Sequence, residues 1–234
     1  GRDDLTSIII PDGVTKIGSG AFDGCTNLRH IQLPATLKQM DVAAFQGCSS
    51  LKELMIPAGV TALARNLFRD CSSLTSVSIP DGVISIGDYA FSNCSSLVHV
   101  EFPSTLTAIR ESAFDSCAAL TDLSFPKSMK SIDTSAFVGC TSLRELYFPD
   151  GMTFIGSYAF SGCTGLQSVF LPESVTTIGG AAFYHCNSIQ ISAPAGSYAE
   201  HYAEKNHIAF QADGSVQGGD YMTQITEEGT WLKY

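Results

Sequence analysis

A chain of 234 residues, 44% of them hydrophobic, can bury a substantial core, while its 15% of charged residues is well below the roughly 25% of ordinary soluble domains. The net charge of −10, with 13 scattered Lys and Arg residues, argues against nucleic acid or an anionic membrane surface as a partner, because both require clustered basic side chains. No run of about 20 apolar residues is present, so direct membrane insertion is not expected.

The first predicted repeat begins at Leu5, and no capping segment precedes it. We expect either that the natural protein continues upstream of this repeat or that the polar residues Arg2, Asp3 and Asp4 blunt its open end. The sequence alone leaves both alternatives open.

A repeat of 23 residues organises most of the chain. Proline recurs at this interval from Pro11 to Pro172, phenylalanine from Phe22 to Phe183, and cysteine from Cys25 to Cys186. The cysteine series uses all eight cysteines of the chain. Three series with one period and no insertion predict a solenoid of stacked turns.

One unit, residues 74–96, indicates what each turn builds. Val77 and Ile79 alternate with polar residues, which is the pattern of a half-buried strand. Pro80 ends the strand because it has no N–H group and fixes φ. A second inward-facing segment begins at Val83. Since a single unit cannot bury enough apolar surface to offset the entropy of ordering its residues, stability is expected from stacking.

The consensus Leu-x-x-Val/Ile-x-Ile/Leu-Pro, then Val/Leu-x-x-Ile-Gly, Ala-Phe and Cys, closely resembles the BspA-like (Treponema-type) leucine-rich-repeat family of bacterial surface proteins. The resemblance covers about residues 5–191. It implies an α/β repeat solenoid, a right-handed superhelix that is mostly β with little helix. It also implies an extracellular or cell-surface protein that adheres to host or microbial macromolecules.

The repeat pattern changes after Cys186, where the spacing shortens by one residue. Ser197 and Glu200 then predict a capping box at the start of a short helix. Tyr198, Ala199, Tyr202 and Ala203 are expected to share the buried face of this helix, which would cover the last turn of the solenoid.

Three regions follow from these patterns. Residues 1–191 are predicted to form the leucine-rich-repeat solenoid, with eight 23-residue turns from Leu5, and residues 192–211 a helical C-terminal cap. Residues 212–234 are predicted to form a tail with a β-hairpin. Whether this tail packs on the cap or begins a further module stays open.

The cysteine series allows three interpretations. Buried structural thiols are the one we predict. Disulfides between neighbouring turns are the second, but parallel side chains do not readily adopt the near-perpendicular S–S torsion. A metal site is the third, and the sequence has no Cys-x-x-Cys pair for zinc. We therefore predict no disulfides and no metal site.

Catalysis is not expected. Nucleophilic catalysis requires a nucleophile, an oriented base and an oxyanion site. The five histidines lie in one strand column and near the cap: His30, His99, His185, His201 and His207. No Gly-x-Ser-x-Gly, phosphate-binding loop or His-x-x-x-His motif is present. We predict no catalytic residues and no cofactor.

Variation between repeats is greatest at the outward positions of the predicted strands. Tyr147 and Phe170 are adjacent aromatic residues where the period predicts exposure, and exposed aromatics are typical interface anchors. The candidate ligand-binding residues are Glu53, Met55, His99, Glu101, Asp122, Glu145, Tyr147 and Phe170. The alternative is that these are scattered surface residues which the cap or tail covers.

Three functions agree with these observations. The first is a monomeric, non-catalytic module that binds a protein of the extracellular matrix or of another cell surface. The second is a carbohydrate-binding module in which Tyr147 and Phe170 stack on sugar rings. The third is a spacer that separates a neighbouring domain from the cell.

Overall fold

The computed structural model describes residue 2 and residues 4–213. Short strands dominate this part of the chain, with one helix near its C-terminal end. The strands are β1 Ser7–Ile9, β2 Lys16–Ile17, β3 His30–Gln32, β4 Gln39–Met40, β5 Glu53–Met55, β6 Ser76–Ser78, β7 Ser85–Ile86, β8 His99–Glu101, β9 Ala108–Ile109, β10 Ser131–Ile132, β11 Glu145–Tyr147, β12 Phe154–Ile155, β13 Ser168–Phe170, β14 Thr177–Ile178, β15 Gln190–Pro194 and β16 Ala209–Asp213, and the helix α1 is Tyr198–Lys205.

The first parallel sheet consists of the segments that precede the prolines, together with two further strands. Its hydrogen-bonded groups are β1–β3, β5–β6–β8 and β11–β13–β15–β16. Partners lie one repeat apart, as Ser76 and His99 do. In the sixth turn only Ser124 joins the sheet, through a bridge to Tyr147. The middle residue of each strand faces the core, and its two neighbours face outward.

The second parallel sheet comes from the segment that follows each proline turn. Its paired groups are β2–β4 and β7–β9–β10–β12–β14, and Leu63 bridges Ile86 where the third turn has no strand. The inward residues of the central strands are fully buried, namely Ile86, Ile109, Ile132 and Ile155. Two sheets therefore enclose one continuous core.

The remaining side of each turn is a corner centred on the phenylalanine series. The backbone of this corner also forms hydrogen bonds between neighbouring turns. For example, the Phe91 N–H donates to the Ala113 carbonyl at 2.7 Å. The rings from Phe22 to Phe183, which we call the phenylalanine ladder, stack with centroids 5.1 to 5.5 Å apart. Those from Phe45 to Phe160 have no exposed surface. The series is therefore structural core, as aromatic offset stacking and burial both favour this arrangement.

All eight cysteines are buried as free thiols at the same corner. From Cys48 onward, each Sγ lies 3.2 Å from the carbonyl oxygen of the phenylalanine in the preceding turn, as Cys94 Sγ does from Phe68 O. Burial raises the pKa of the Cys48 thiol to about 12 and that of Cys186 to about 11. The thiols thus remain protonated at neutral pH and donate to a buried carbonyl.

The helix α1 packs against the end of the solenoid. Ala199, Tyr202 and Ala203 are buried, and the Tyr202 ring meets the last ladder ring, Phe183, edge-on at 6.2 Å between centroids. Tyr198 is 45% exposed, so the prediction that it shares the buried face is wrong. At about 100° per helical residue, Tyr198 falls at the edge of the face that the three buried residues share.

The start of α1 forms half of the predicted capping box. The Ser197 hydroxyl accepts a hydrogen bond from the Glu200 backbone N–H at 3.3 Å. The Glu200 carboxylate accepts from the N–H of Gly196. In a capping box it would instead accept from the N–H of the N-cap residue.

The predicted solenoid is confirmed, with about nine turns of about 23 residues and one short helix near the C-terminus. β15 and β16 extend the first sheet beyond the eight predicted repeats, and the steps from Ser168 to Gln190 and from Gln190 to Ala209 are both shorter than the 23-residue repeat, by one and by four residues. β15 thus crosses the expected boundary between residues 191 and 192. The hairpin predicted in residues 212–234 lies almost entirely outside the described residues.

Gly179 and Gly180 test how closely the turns stack. A Cβ at Gly179 would lie 2.3 Å from the backbone nitrogen of Ser157, whereas one at Gly180 would meet nothing within 4 Å. We expect Gly179→Ala to lower the free energy of unfolding by about 1–3 kcal/mol, the usual cost of overpacking. Gly180→Ala should leave it unchanged or raise it slightly. Urea denaturation compares the two, and equal stability would argue against this close approach.

Candidate functional site

The outward side chains of the first sheet form a continuous surface, which we call the strand face. It consists of the first and last residues of β1, β3, β5, β6, β8, β11 and β13, with Asp122 and Ser124 in the sixth turn. All eight candidate residues lie on it. Five of them are exposed: Glu53, Met55, His99, Glu101 and Asp122. Glu145, Tyr147 and Phe170 are half-buried.

Tyr147 and Phe170 form a stacked pair on the strand face. They are direct partners in the β11–β13 register, and their ring centroids lie 4.4 Å apart with an interplanar angle of 3°. Coplanar rings side by side cannot bring their centroids this close, so the rings face each other across the two strands. Each ring therefore has one face covered by the other and stands upright on the sheet.

Glu145 holds the Tyr147 side chain in place. The Tyr147 hydroxyl donates to Glu145 Oε2 at 3.0 Å, between the two outward positions of the same strand. Burial, followed by this hydrogen bond and the carboxylate charge, raises the pKa of Tyr147 to about 12. The phenol is consequently a protonated donor at every physiological pH, and the pair is held in one orientation.

Small residues flank the aromatic pair. In the sheet register Ser124 lies beside Tyr147 on one side, and Ser192 lies beside Phe170 on the other. Since a serine side chain is short, the outer face of each ring stays uncovered above it. The pair is therefore a ridge two rings thick between two shallow notches.

The structure separates the candidate residues into two groups. Asp122 and Glu145 occupy the same column in consecutive turns, and Glu101 is two turns from Tyr147 in the other column. Glu53 is four turns from Glu145, roughly 19 Å at the usual strand spacing. The aromatic pair, His99, Glu101, Asp122 and Glu145 thus form one site, which we call the aromatic site. Met55, 85% exposed, and Glu53 lie apart from it.

Sequence reasoning missed a groove beside the second sheet. Its volume is about 600 Å³, and its walls include Arg65, Asp88, Glu111 and Phe154. Arg110 Nη1 and Asp133 Oδ2 are 3.3 Å apart along it. The available signal was the opposite charge of Arg110 and Asp133 at one repeat position in consecutive turns. The lining carries two arginines against three carboxylates, a net charge of −1 that selects a ligand only weakly.

The described residues form neither a metal site nor a membrane-spanning helix. No group of three or more His, Cys, Asp or Glu residues there could hold a metal ion. Within the same residues, no helix has the length and apolar character needed to cross a membrane.

Comparison with protein families gives a match over most of the chain. The family model described as BspA type leucine-rich repeat region, in six copies, matches residues 1–83 and 61–190. No curated protein sequence matches the chain.

Solved bacterial leucine-rich-repeat structures are similar to the chain. A protein from Bacteroides ovatus has a TM-score of 0.65 and 29% identity, over 82% of this chain and 56% of that one. The leucine-rich-repeat protein of T. pallidum has a TM-score of 0.52 and 24% identity, over 90% and 87%. The pneumococcal vaccine antigen PcpA has a TM-score of 0.55 and 18% identity, over 91% and 69%. The last two support the fold alone, and this chain spans just over half the length of the B. ovatus protein.

Proposed function

Because the chain belongs to the BspA-type leucine-rich repeat family, we propose that it is a non-catalytic binding module of the cell surface whose strand face binds another protein. The observation that carries this proposal is the stacked pair of Tyr147 and Phe170. Aromatic residues that a scaffold holds in one orientation lose little conformational entropy on binding and are typical interface anchors.

The geometry of the pair favours a protein over a sugar at this site. A sugar ring stacks on a broad aromatic face, but here the inner faces cover each other and the outer faces stand above Ser124 and Ser192. The upright ridge presents ring edges at its top and one outer ring face above each notch, so a flat ligand can stack on only one ring. A partner with a groove between side chains can enclose such a ridge from both sides.

The charge of the strand face defines the partner further. Glu101, Asp122 and Glu145 lie near the ridge, and the outward columns of the strand face contain no Lys or Arg. Complementary charge speeds association and suppresses wrong partners. We therefore expect a basic surface on the partner, such as an extracellular-matrix protein or a protein of another cell.

Replacing both rings should weaken binding strongly. We expect the purified chain to bind at least one member of an immobilised panel of extracellular-matrix proteins in a saturable manner. The variant Tyr147→Ala/Phe170→Ala should bind more than tenfold more weakly, since hot-spot aromatic side chains contribute about 2 kcal/mol or more each. Surface plasmon resonance measures both affinities.

The control variant replaces one phenylalanine and one tyrosine outside the strand face by alanine. Phe154 and Tyr158 are exposed and do not belong to the strand face, so Phe154→Ala/Tyr158→Ala should bind like the unmodified chain. Equal loss in both double variants would contradict the proposed site. Binding to immobilised glycans that persists in high salt and is lost in Tyr147→Ala/Phe170→Ala would favour the carbohydrate alternative, because salt weakens charge-steered association. No binding to any panel member would favour the spacer.

A further inference from the structure

A second cleft lies at the C-terminal end of the solenoid, away from the strand face. It has a volume of about 610 Å³ between the corner of the eighth repeat and the segment where α1 ends and β16 begins. Tyr184, His185 and Asn187 line one wall, and Tyr202, Asn206 and His207 line the other. This volume is within the usual range of small-molecule sites.

The lining of this cleft has no formal charge, although the chain as a whole is acidic. None of the residues that line it is Asp, Glu, Lys or Arg. Its polar groups are amides, hydroxyls and imidazoles, which can each donate and accept hydrogen bonds. A charged ligand would therefore lose hydration without gaining an ionic partner, so the cleft is suited to a neutral ligand with many hydroxyl groups.

Two histidines of the cleft have left-handed backbone conformations. His185 has φ of 60° and His207 has φ of 57°, in the left-handed region. In the other repeats the position of His185 is Gly, Asp, Asn or Ser. His207 follows the C-cap Asn206, where glycine is usual. The left-handed backbone belongs to the repeat, as at Ser116, and what distinguishes the eighth repeat is that the residue at this position carries an imidazole.

Tyr184 provides an exposed aromatic surface in the cleft. It is 56% exposed, and its ring contacts that of His185 with centroids 3.9 Å apart at an angle of 51°. The tilt leaves part of the Tyr184 ring open beside the polar groups. An open aromatic surface next to amide and imidazole groups is the combination that packs against the C–H face of a sugar while bonding its hydroxyls.

We propose that this cleft is a binding site for a neutral carbohydrate residue, with Tyr184 as the packing surface and His185, Asn187, Asn206 and His207 as hydrogen-bonding groups. The site goes beyond the proposed protein-binding role of the strand face and is independent of it. The ligand binds in one pocket at the end of the solenoid, and no bond is made or broken.

Saturation-transfer NMR with neutral monosaccharides tests the proposal. The probes are glucose, galactose, mannose, fucose and N-acetylglucosamine, with glucuronic acid as the charged comparison. We expect saturable transfer to at least one neutral sugar at millimolar concentration and none to glucuronic acid. Tyr184→Ala and His185→Gly should each weaken the affinity for that sugar at least tenfold.

The glycine variant separates binding from folding. Since His185→Gly relieves a left-handed backbone position, it should not lower the melting temperature although it weakens sugar binding. Ser116→Gly makes the same change at the same repeat position, with φ of 61°, and should leave sugar binding intact. The variant Tyr147→Ala/Phe170→Ala should also bind the sugar normally.

Three results would overturn the proposal. They are no saturable transfer to any neutral sugar in the unmodified chain, normal sugar binding by His185→Gly, and loss of sugar binding in Ser116→Gly. None of these results bears on the strand face, which is measured separately with immobilised proteins.

Discussion

Replacing Phe91 by alanine should lower the free energy of unfolding by about 3–5 kcal/mol, the range for buried Phe truncations. The ring has no exposed surface and stacks between Phe68 at 5.3 Å and Phe114 at 5.1 Å. Its removal leaves a cavity that rigid turns on either side cannot close, because each is fixed by backbone hydrogen bonds to its neighbours. Urea denaturation followed by circular dichroism measures the loss.

Phe22, at the end of the phenylalanine ladder, is the control position for Phe91. Phe22 is half-buried and stacks on one ladder ring, Phe45, so Phe22→Ala should cost clearly less than Phe91→Ala. Phe91→Leu, which retains much of the volume, should fall between the unmodified chain and the alanine variant. An unchanged midpoint for Phe91→Ala would show that the ladder is not the core of the protein.

Raising the pH above about 9 should destabilise the protein steeply, because the buried cysteines must then release protons on unfolding. Seven thiols, Cys48, Cys71, Cys94, Cys117, Cys140, Cys163 and Cys186, have a pKa raised by burial above the ordinary value of 9.0. The folded state therefore holds protons that the unfolded chain loses. The stabilisation is complete below pH 9 and disappears as the pH rises toward the folded-state values.

The expected size of this effect is large. At pH 10 each thiol favours the unfolded chain by on the order of 1 kcal/mol, since one pKa unit corresponds to about 1.4 kcal/mol. Seven such contributions are comparable with the entire stability of an ordinary domain, about 5–15 kcal/mol. The measurement is the free energy of unfolding in urea as a function of pH, under reducing conditions.

Cysteine variants identify the groups responsible. Cys94→Ala/Cys117→Ala should reduce the slope of the free energy of unfolding against pH by about two of the seven protons. The variant will start from a lower stability, but the slope is independent of that offset. Ellman's reagent should find no reactive thiol in the folded chain at neutral pH. A slope that does not change in the variant would contradict the role of the thiols.

The solenoid was predictable because the residues that stabilise each turn recur at the same positions of every repeat. Phe91 and Cys94 recur at the same interval in every turn, and only stacked turns can bury eight such pairs at one corner. The alternation of Val77 and Ile79 with polar residues likewise determined which side chains of each strand face outward. Each pattern lies within a single repeat, so it predicts the fold without information on contacts between distant residues.

Other features depend on contacts that the repeat does not encode. The sequence predicted that Tyr147 and Phe170 are neighbours, but their upright stacking depends on the Glu145 hydrogen bond and the side-chain orientations. The exposure of Tyr198 depends on how α1 docks. The C-terminal cleft arises where Tyr184 and His207 meet from segments of different structure, and no periodic pattern relates them.

The central claim is that the aromatic site binds a protein, and a bulky group placed beside Tyr147 tests it most directly. All eight native cysteines are buried, so a new surface cysteine can be alkylated selectively with a bulky maleimide. The position is Ser124, exposed and bridged to Tyr147, and the control position is the exposed Thr177 in β14 of the second sheet. Binding is measured to the extracellular-matrix protein that the panel identifies.

We predict that the adduct on Ser124→Cys abolishes binding and that the adduct on Thr177→Cys leaves it unchanged, with both proteins folded by circular dichroism. Full binding by the Ser124 adduct, or loss of binding with the Thr177 adduct alone, would contradict the claim that the aromatic site is the protein-binding surface.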